Sequence, residues 1–217
     1  MKRNWLIVII VILVFLLGGL VVKNKVFTKP ASGALQISTT PRATVYIDGE
    51  QKGVTPLLDD KIKAGEHLIR LVPEAVADNL VSWESKVNLV PGIITAINYV
   101  FAKTEAESSG EILALEKISS RDTASLAVIS IPDRAMVRIN GESAGFAPAL
   151  KEGLTPGNYQ VVVGSAGYEE KTISAQTVAG YKLTVNVKLA QKIEGITEVI
   201  PSGELEEEEK GEEEEKA

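Results

Sequence analysis

Apolar and polar residues alternate with a period of two in several short segments of the chain. Ala43, Val45 and Ile47 alternate with more polar residues, and residues 135–140 repeat this alternation. The period is typical of β-strands that bury one face. Further strands are predicted at 36–40, 67–72, 82–90, 93–101, 126–131, 159–164, 169–176 and 181–189.

Each alternating segment runs into a pair of residues that favours a tight turn. These pairs are Asp48-Gly49 and Asn140-Gly141, which tolerate positive φ and so favour β-hairpins. Outside the N-terminal segment no long helical periodicity is found. The pattern therefore predicts an all-β fold built from small antiparallel β-sandwiches.

The chain contains an internal repeat. Residues 38–49 reappear as residues 130–141, and the match continues through matched glycines and prolines. Two copies are too few for a solenoid, so we predict tandem domains at 34–102 and 125–190. The intervening linker, 103–124, is polar apart from a short stretch that fits either one or two helical turns or an extra strand. We expect it to be modestly flexible.

The repeated residues resemble a known family. The second copy follows nearly all of the pattern P-x-x-A-x-V-x-I-(D/N)-G-x-x-x-G-x-x-P, with P-G-x-(H/Y)-x-V and G-Y behind it, and the first copy follows part of it, without the G-Y. The matching residues are Pro41-Arg42-Ala43, Asp48-Gly49, Gly53, Thr55-Pro56 and Gly65-Glu66-His67, then Pro132-Asp133-Arg134-Ala135, Asn140-Gly141, Gly145, Pro148, Pro156-Gly157-Asn158-Tyr159 and Gly167-Tyr168. This set resembles the PEGA domain. The resemblance implies all-β modules of prokaryotic surface and envelope proteins, similar to surface-layer components, with no catalytic residues to carry over.

The N-terminal segment, 1–29, is predicted to hold a membrane anchor. Residues 5–22 are an unbroken apolar run without a charge or an amide. As a helix it would be about 27 Å long, which nearly matches the ~30 Å hydrocarbon core of a bilayer. A cleaved signal peptide is the alternative, but its apolar region is usually shorter and is followed closely by a small-residue cleavage site. Here Lys23 and Lys25 follow the run at once.

Charge is distributed unevenly along the chain. Lys2 and Arg3 precede the apolar run and favour a cytoplasmic N-terminus, although Lys23, Lys25 and Lys29 oppose it. We expect the β domains to lie outside the cytoplasm. The C-terminal tail, 191–217, ends in a stretch with nine Glu and two Lys that should be disordered. No basic stripe marks the predicted domains, so nucleic acid is not expected as a partner.

Composition removes most catalytic chemistry. The chain has no Cys and one His, which excludes thiolate sites and leaves too little imidazole for a multi-His metal centre. Residues 141–145 spell G-x-S-x-G, but the single His67 precedes Ser143 and lies in the other copy. Asp59-Asp60 are treated as solvated loop carboxylates because they lack calcium-ligand spacing. No enzyme activity, cofactor or metal is predicted.

Surface aromatic residues are the remaining candidates for a binding role. Tyr46, Trp83, Tyr168 and Tyr181 could contact a ligand or partner, and Tyr46 lies on the polar side of its strand. The alternative is that they form cross-strand pairs within a sheet. His67 occupies the position of Tyr159 in the second copy, which indicates packing or capping.

These observations predict a membrane-anchored cell-envelope protein that displays two β modules. Its interactions would be noncovalent, with wall polymer, with other envelope proteins or with itself. The alternative is an accessory sensing or assembly subunit whose span docks on a membrane partner.

Overall fold

The computed structural model describes residues 31–74 and 79–193, and within these ranges it contains strands and no helix. The first copy contributes seven strands: β1 (Ser32–Thr40), β2 (Ala43–Ile47), β3 (Glu50–Val54), β4 (Leu57–Lys63), β5 (Gly65–Pro73), β6 (Trp83–Leu89) and β7 (Ile94–Val100). The linker contributes β8 (Ser109–Lys117). The second copy contributes β9 (Ala124–Ile131), β10 (Met136–Ile139), β11 (Glu142–Phe146), β12 (Ala149–Leu154), β13 (Gly157–Gly164), β14 (Lys171–Thr177) and β15 (Tyr181–Lys188).

The all-β prediction is confirmed, and the strands form three sheets. Each copy has its own four-stranded sheet, in the order β3-β2-β5-β6 or β11-β10-β13-β14. The third sheet has seven strands in the order β12-β9-β15-β8-β7-β1-β4, so it takes strands from both copies. Each small sheet packs against its own half of this shared sheet, and apolar side chains fill the layer between them.

The sandwiches are not purely antiparallel, which corrects the sequence prediction. β1 pairs with β7 in parallel, and β9 pairs with β15 in parallel. In each copy the chain leaves the shared sheet, starts the small sheet, adds an edge strand (β4 or β12) to the shared sheet, completes the small sheet and returns beside the strand where it started. The small sheet and this edge strand together form the long connection that a parallel pair requires.

The predicted hairpins are confirmed. Asp48 and Gly49 have φ of 51° and 84°, and Asn140 and Gly141 have φ of 51° and 83°. Two successive residues with positive φ define the two-residue turn whose twist matches that of the flanking strands.

The linker forms a structural strand between the two copies. β8 pairs antiparallel with β7 of the first copy on one edge and with β15 of the second copy on the other. Of the two alternatives for this segment, the structure has the extra strand. Because β8 is hydrogen-bonded along both edges, this part of the linker is a fixed strand. The flexible linker that was predicted from the polar composition of residues 103–124 is therefore wrong for this part.

The two faces of β8 serve different cores. Ile112 is opposite Ile97 and packs against the first core, whereas Leu113 and Leu115 pack against the second. Residues directly opposite each other in a sheet point to the same face. The two small sheets therefore cover opposite faces of the shared sheet, related by an approximate two-fold axis along β8.

Each core is built from every second residue of its strands. Leu35 on β1 and Leu126 on β9 are completely buried and occupy equivalent positions in the two cores. The burial of alternate residues is what the period-two pattern predicted.

Candidate functional site

A groove runs along β6 where the two copies meet. β6 is the last strand of its small sheet, and among the described residues its only strand partner is β5. Its free edge lies above the outer face of the second copy's half of the shared sheet. We call this the junction groove; its lining includes Trp83, Lys86, Ile112, Ile129, Ile131 and Asn186.

The groove consists of two adjoining cavities. One, of about 330 Å³, lies between the start of β6 and strands β9 and β15. The other, of about 320 Å³, continues along β6 over β8 and β15. Both are lined by Lys86, Ile112 and Asn186. Together they follow β6 for most of its length, about 23 Å at 3.3 Å per residue.

The floor of the junction groove is apolar and open to solvent. Ile129 and Ile131 on β9 are 44% and 62% exposed. They lie opposite Asn186 and Lys188 of β15, on the face that the second core does not use. Large exposed apolar side chains that line a groove are typical of interaction sites.

An aromatic cluster closes one end of the groove. The Trp83 and Tyr99 rings lie 5.2 Å apart, and Tyr99 meets Phe101 edge to face at 5.0 Å. The Tyr99 ring covers Gly110 of β8, where an added Cβ would lie only 2.5 Å from Cδ2 of the ring. Glycine therefore allows the ring to lie flat on the shared sheet.

The charged groups beside the groove are already engaged. Lys86 Nζ lies 3.0 Å from Glu66 Oε1, and Lys182 Nζ lies 2.7 Å from Glu116 Oε2. Lys188 Nζ donates hydrogen bonds to the backbone carbonyls of Glu105 and Ser108, and burial lowers the pKa of Lys188. The floor thus presents apolar surface with little unpaired charge.

A polar contact joins the copies on the opposite face of the shared sheet. Glu111 of β8 pairs with Lys171 Nζ at 2.9 Å and accepts a hydrogen bond from Asn98 Nδ2 at 2.8 Å. Both charged side chains are largely buried. Lys171 on β14 occupies the position that Trp83 occupies on β6.

The four aromatic residues proposed from sequence do not form one site. Tyr46 lies on β2 with the Arg70 guanidinium 4.6 Å above its ring, which is a cross-strand cation–π contact. Trp83 borders the junction groove. Tyr168 bridges to Gln191 and lines a shallow cleft with Met136 and Phe146. Tyr181 begins β15 opposite Lys117. Their role in binding stays a prediction.

His67 is held between two hydrogen-bond acceptors. Its Nδ1 lies 2.6 Å from Asp48 Oδ2, and its Nε2 lies 2.6 Å from the Lys63 carbonyl. Two acceptors require two N–H donors, which favours the imidazolium. In the second copy the Tyr159 hydroxyl donates to the Thr155 carbonyl at 2.7 Å. Both residues therefore anchor their strand to the equivalent carbonyl, a structural role.

This arrangement makes stability depend on pH. Burial lowers the pKa of His67, but its hydrogen bonds to Asp48 and to the Lys63 carbonyl outweigh burial, so the pKa is raised. Because the pKa of His67 is higher in the folded chain than in the unfolded chain, His67 stabilises the fold at pH values below its unfolded-state pKa of about 6.5. This stabilisation is lost as the pH rises through the folded-state pKa of His67. The hydrogen bond from His67 lowers the pKa of Asp48, so the contribution of Asp48 to stability is lost as the pH falls through its folded-state pKa.

We therefore expect the unfolding temperature to drop by roughly 1–3 °C as the pH rises from 6 to 8.5, which corresponds to the lower part of the range for one ordinary hydrogen bond, about 0.5–1 kcal/mol. His67→Tyr, which introduces the second copy's residue, should remove this pH dependence and keep the hydrogen bond to Lys63. Thermal denaturation followed by circular dichroism measures both proteins. An equal slope in the two would contradict the role of His67.

The other chemical candidates lie in regular strands. Ser143 is in β11, where its Oγ accepts a 3.4 Å hydrogen bond from the Gly145 amide, and no helix follows it. Asp59 and Asp60 lie in β4, not in the loop expected from sequence. Among the described residues, no three His, Asp or Glu side chains gather as possible metal ligands.

The predicted anchor at 5–22 lies outside the described residues, as does nearly all of the acidic tail. Within 31–74 and 79–193 there is no helix of the length and apolarity needed to cross a membrane.

The floor of the groove was not predicted from sequence, although a signal was present. In β9 the residues at 129 and 131 are apolar, so both faces of the strand are apolar at its end. The equivalent residues on β1 are Ser38 and Thr40, as the pairing of Asn98 with Ser38 and of Asn186 with Ile129 indicates. This break in the alternation is confined to one copy.

Comparisons with known proteins identify the repeated unit. A family model described as the PEGA domain matches residues 32–105 and 123–193, more than half of the chain. The comparison with curated proteins gives no match. Among solved structures, the Bacillus anthracis TIE protein is similar at 12% identity with a TM-score of 0.25, over 73% of this chain and 34% of that one. This chain thus spans about a third of that protein's length, and a TM-score this low supports no argument about function. The family match is decisive by itself: the chain belongs to the PEGA-domain family and carries two copies of the domain in tandem.

Proposed function

We propose that this protein is a membrane-anchored cell-envelope protein that presents its two PEGA domains outside the cytoplasm as one noncatalytic binding unit. Its partners would be wall polymer or other envelope proteins. The N-terminal apolar run would anchor it, with the N-terminus in the cytoplasm.

One observation carries the proposal: both PEGA domains are built onto a single seven-stranded sheet. Two domains joined in this way keep a fixed geometry, and their junction forms a groove with an exposed apolar floor. A fixed groove loses little conformational entropy when a partner binds, which favours noncovalent recognition.

The absence of catalytic activity is part of the proposal. A nucleophilic serine needs a base within hydrogen-bond reach, whereas His67 is engaged by Asp48 and by the Lys63 carbonyl in the other domain. Ester hydrolysis by the purified chain that disappears in Ser143→Ala would contradict this part.

Topology can be tested in cells that produce the full chain with an epitope after residue 217. We expect protease added to intact cells to remove the epitope, because the body and tail would lie outside. A cytoplasmic protein in the same cells should resist the protease until the cells are lysed. An epitope that is equally resistant would place the domains inside.

Partner binding can be tested with the detergent-purified full chain. We expect it to co-sediment with isolated envelope material from the producing cells, and not with the same material after both its polymer and its protein have been digested. No retention under any salt condition would contradict the binding function.

A further inference from the structure

We propose that the junction groove binds an extended polypeptide segment, which adds to the free edge of β6 and places alternate apolar side chains on Ile129 and Ile131. The proposal rests on the binding function above and narrows its partner from envelope material in general to a polypeptide.

The free edge of β6 forms the wall of the groove and can pair with an added β-strand. Among the described residues β6 pairs with β5 alone, so its other edge presents unpaired backbone N–H and C=O groups. An extended peptide supplies both groups at the matching spacing, which is the basis of recognition by strand addition. The seven residues of β6 offer room for a segment of about the same length.

The floor selects the side chains of that segment. A strand added to β6 would continue the plane of the small sheet, roughly 10 Å above the shared sheet. Every second side chain would then point down at Ile129, Ile131 and the adjoining Ile112, and fill the layer as in a sandwich core. The segment should therefore carry apolar residues at alternate positions.

The charges around the groove select against a charged segment. Lys86 and the Glu116–Lys182 pair have partners, and Lys188 is bound to backbone carbonyls. A charged side chain pointing at this floor would be desolvated without a counter-charge. Residues that face the floor should therefore be uncharged.

The pseudo-symmetric position provides an internal contrast. β14 is the edge strand that corresponds to β6, but the surface below it carries Ser38 and Thr40 in place of Ile129 and Ile131. There Lys171 is tied to Glu111. Of these two equivalent edges, β6 lies over an apolar floor and β14 does not, which predicts that the peptide adds to β6 and not to β14.

The test uses the full chain in detergent, with Trp5→Phe so that Trp83 is the only tryptophan. The probe is a peptide of alternating threonine and valine, seven residues long, with a lysine at each end. We expect saturable binding seen by Trp83 fluorescence, and slower hydrogen exchange of the β6 amides but not of β14. Replacing the central valine of the probe by proline should abolish binding.

Two variants distinguish binding at the groove floor from nonspecific apolar binding. Ile129→Ser combined with Ile131→Thr copies the surface of the first domain and should weaken binding roughly tenfold, because both isoleucines lose their contacts. Leu58→Ser removes a leucine that is 64% exposed on the other face of the shared sheet, and it should bind like the parent. All these side chains are exposed, so the variants should fold.

Three outcomes would overturn the inference: no saturable binding, equal binding by the double variant, or protection of β14 in place of β6. Protection of β6 that grows with protein concentration without the probe would identify a second copy as the occupant and overturn the choice of partner. If peptide binding fails while envelope co-sedimentation persists, the groove assignment alone is wrong. If co-sedimentation fails as well, the proposed function is wrong.

Discussion

Leu126→Ala is expected to lower the free energy of unfolding by about 2–5 kcal/mol and to shift the unfolding transition reported by Trp83. Leu126 is completely buried in the second PEGA domain, whereas Trp83 packs against the core of the first. The size of the effect follows from the cavity left in a close-packed core. The Trp83 signal of the first domain should shift as well, because both domains are built on the shared sheet.

The coupling can be traced strand by strand. Leu126 of β9 is opposite Leu183 of β15, and Leu183 is opposite Leu115 of β8. β8 in turn pairs with β7, which belongs to the first domain. If the second domain unfolded alone, β8 would lose one of its two partners and expose Leu113 and Leu115 to water. The first domain would keep a weakened edge, so the two domains should unfold together.

The measurement is urea denaturation in the Trp5→Phe background, followed by Trp83 fluorescence and by far-ultraviolet circular dichroism. Leu35→Ala, the equivalent change in the first core, is the matched control and should shift both signals equally. Two separate dichroism transitions, with the Trp83 midpoint unchanged in Leu126→Ala, would show that the domains unfold independently.

Five strands in each domain could be predicted because apolar residues alternate along them, whereas β3, β4, β11 and β12 were not assigned from sequence, and β3, β11 and β12 bury no residue fully. In β2, Ala43, Val45 and Ile47 are buried while the residues between them are not, and such alternation is visible without a structure. The turns were equally visible, because Asp48-Gly49 carries its own backbone preference. For the ten strands that were assigned, the predicted bounds differ from the observed ones by a few residues at their ends.

β8 could not be assigned because both of its faces are used. Ile112 serves one core, and Leu113 and Leu115 serve the other. Its apolar residues therefore run together, and a short run of this kind fits a helical turn as well as a strand. The parallel pairing of β1 with β7 was missed for a related reason: pairing direction depends on the path of the chain and leaves no local signature.

The candidate site was predicted only in part. Trp83 was selected as an aromatic surface residue, and it does border the junction groove. The alternation places Ile129 and Ile131 in a strand at 126–131 and does not identify them as part of a groove. The groove is created by the free edge of one domain lying over the other domain, and sequence analysis of either domain alone cannot reveal it.

Gly110→Ala is the second change expected to have a large effect, a loss of about 1–3 kcal/mol or more in the free energy of unfolding. Its Cβ would lie 2.5 Å from Tyr99 Cδ2 and 2.9 Å from the Asn98 carbonyl oxygen. Both distances are too short, so the ring and the β7 backbone would have to move. That movement would disturb the pairing of β8 with β7 and the aromatic cluster at the end of the groove.

Two further variants test whether the close approach of the Tyr99 ring to Gly110 causes the loss of stability in Gly110→Ala. Gly157→Ala places a Cβ in open space on β13 and should change stability by no more than about 0.5 kcal/mol. Tyr99→Leu removes the ring that overlies Gly110, so the combined variant should recover part of the loss relative to the sum of the single changes. The recovery should be incomplete because the Asn98 carbonyl remains in place. The contradicting result in denaturant titrations is that Gly110→Ala destabilises the protein no more than Gly157→Ala. In that case the Tyr99 ring does not require a glycine at position 110, and the packing of β8 does not hold the aromatic cluster of the groove in place.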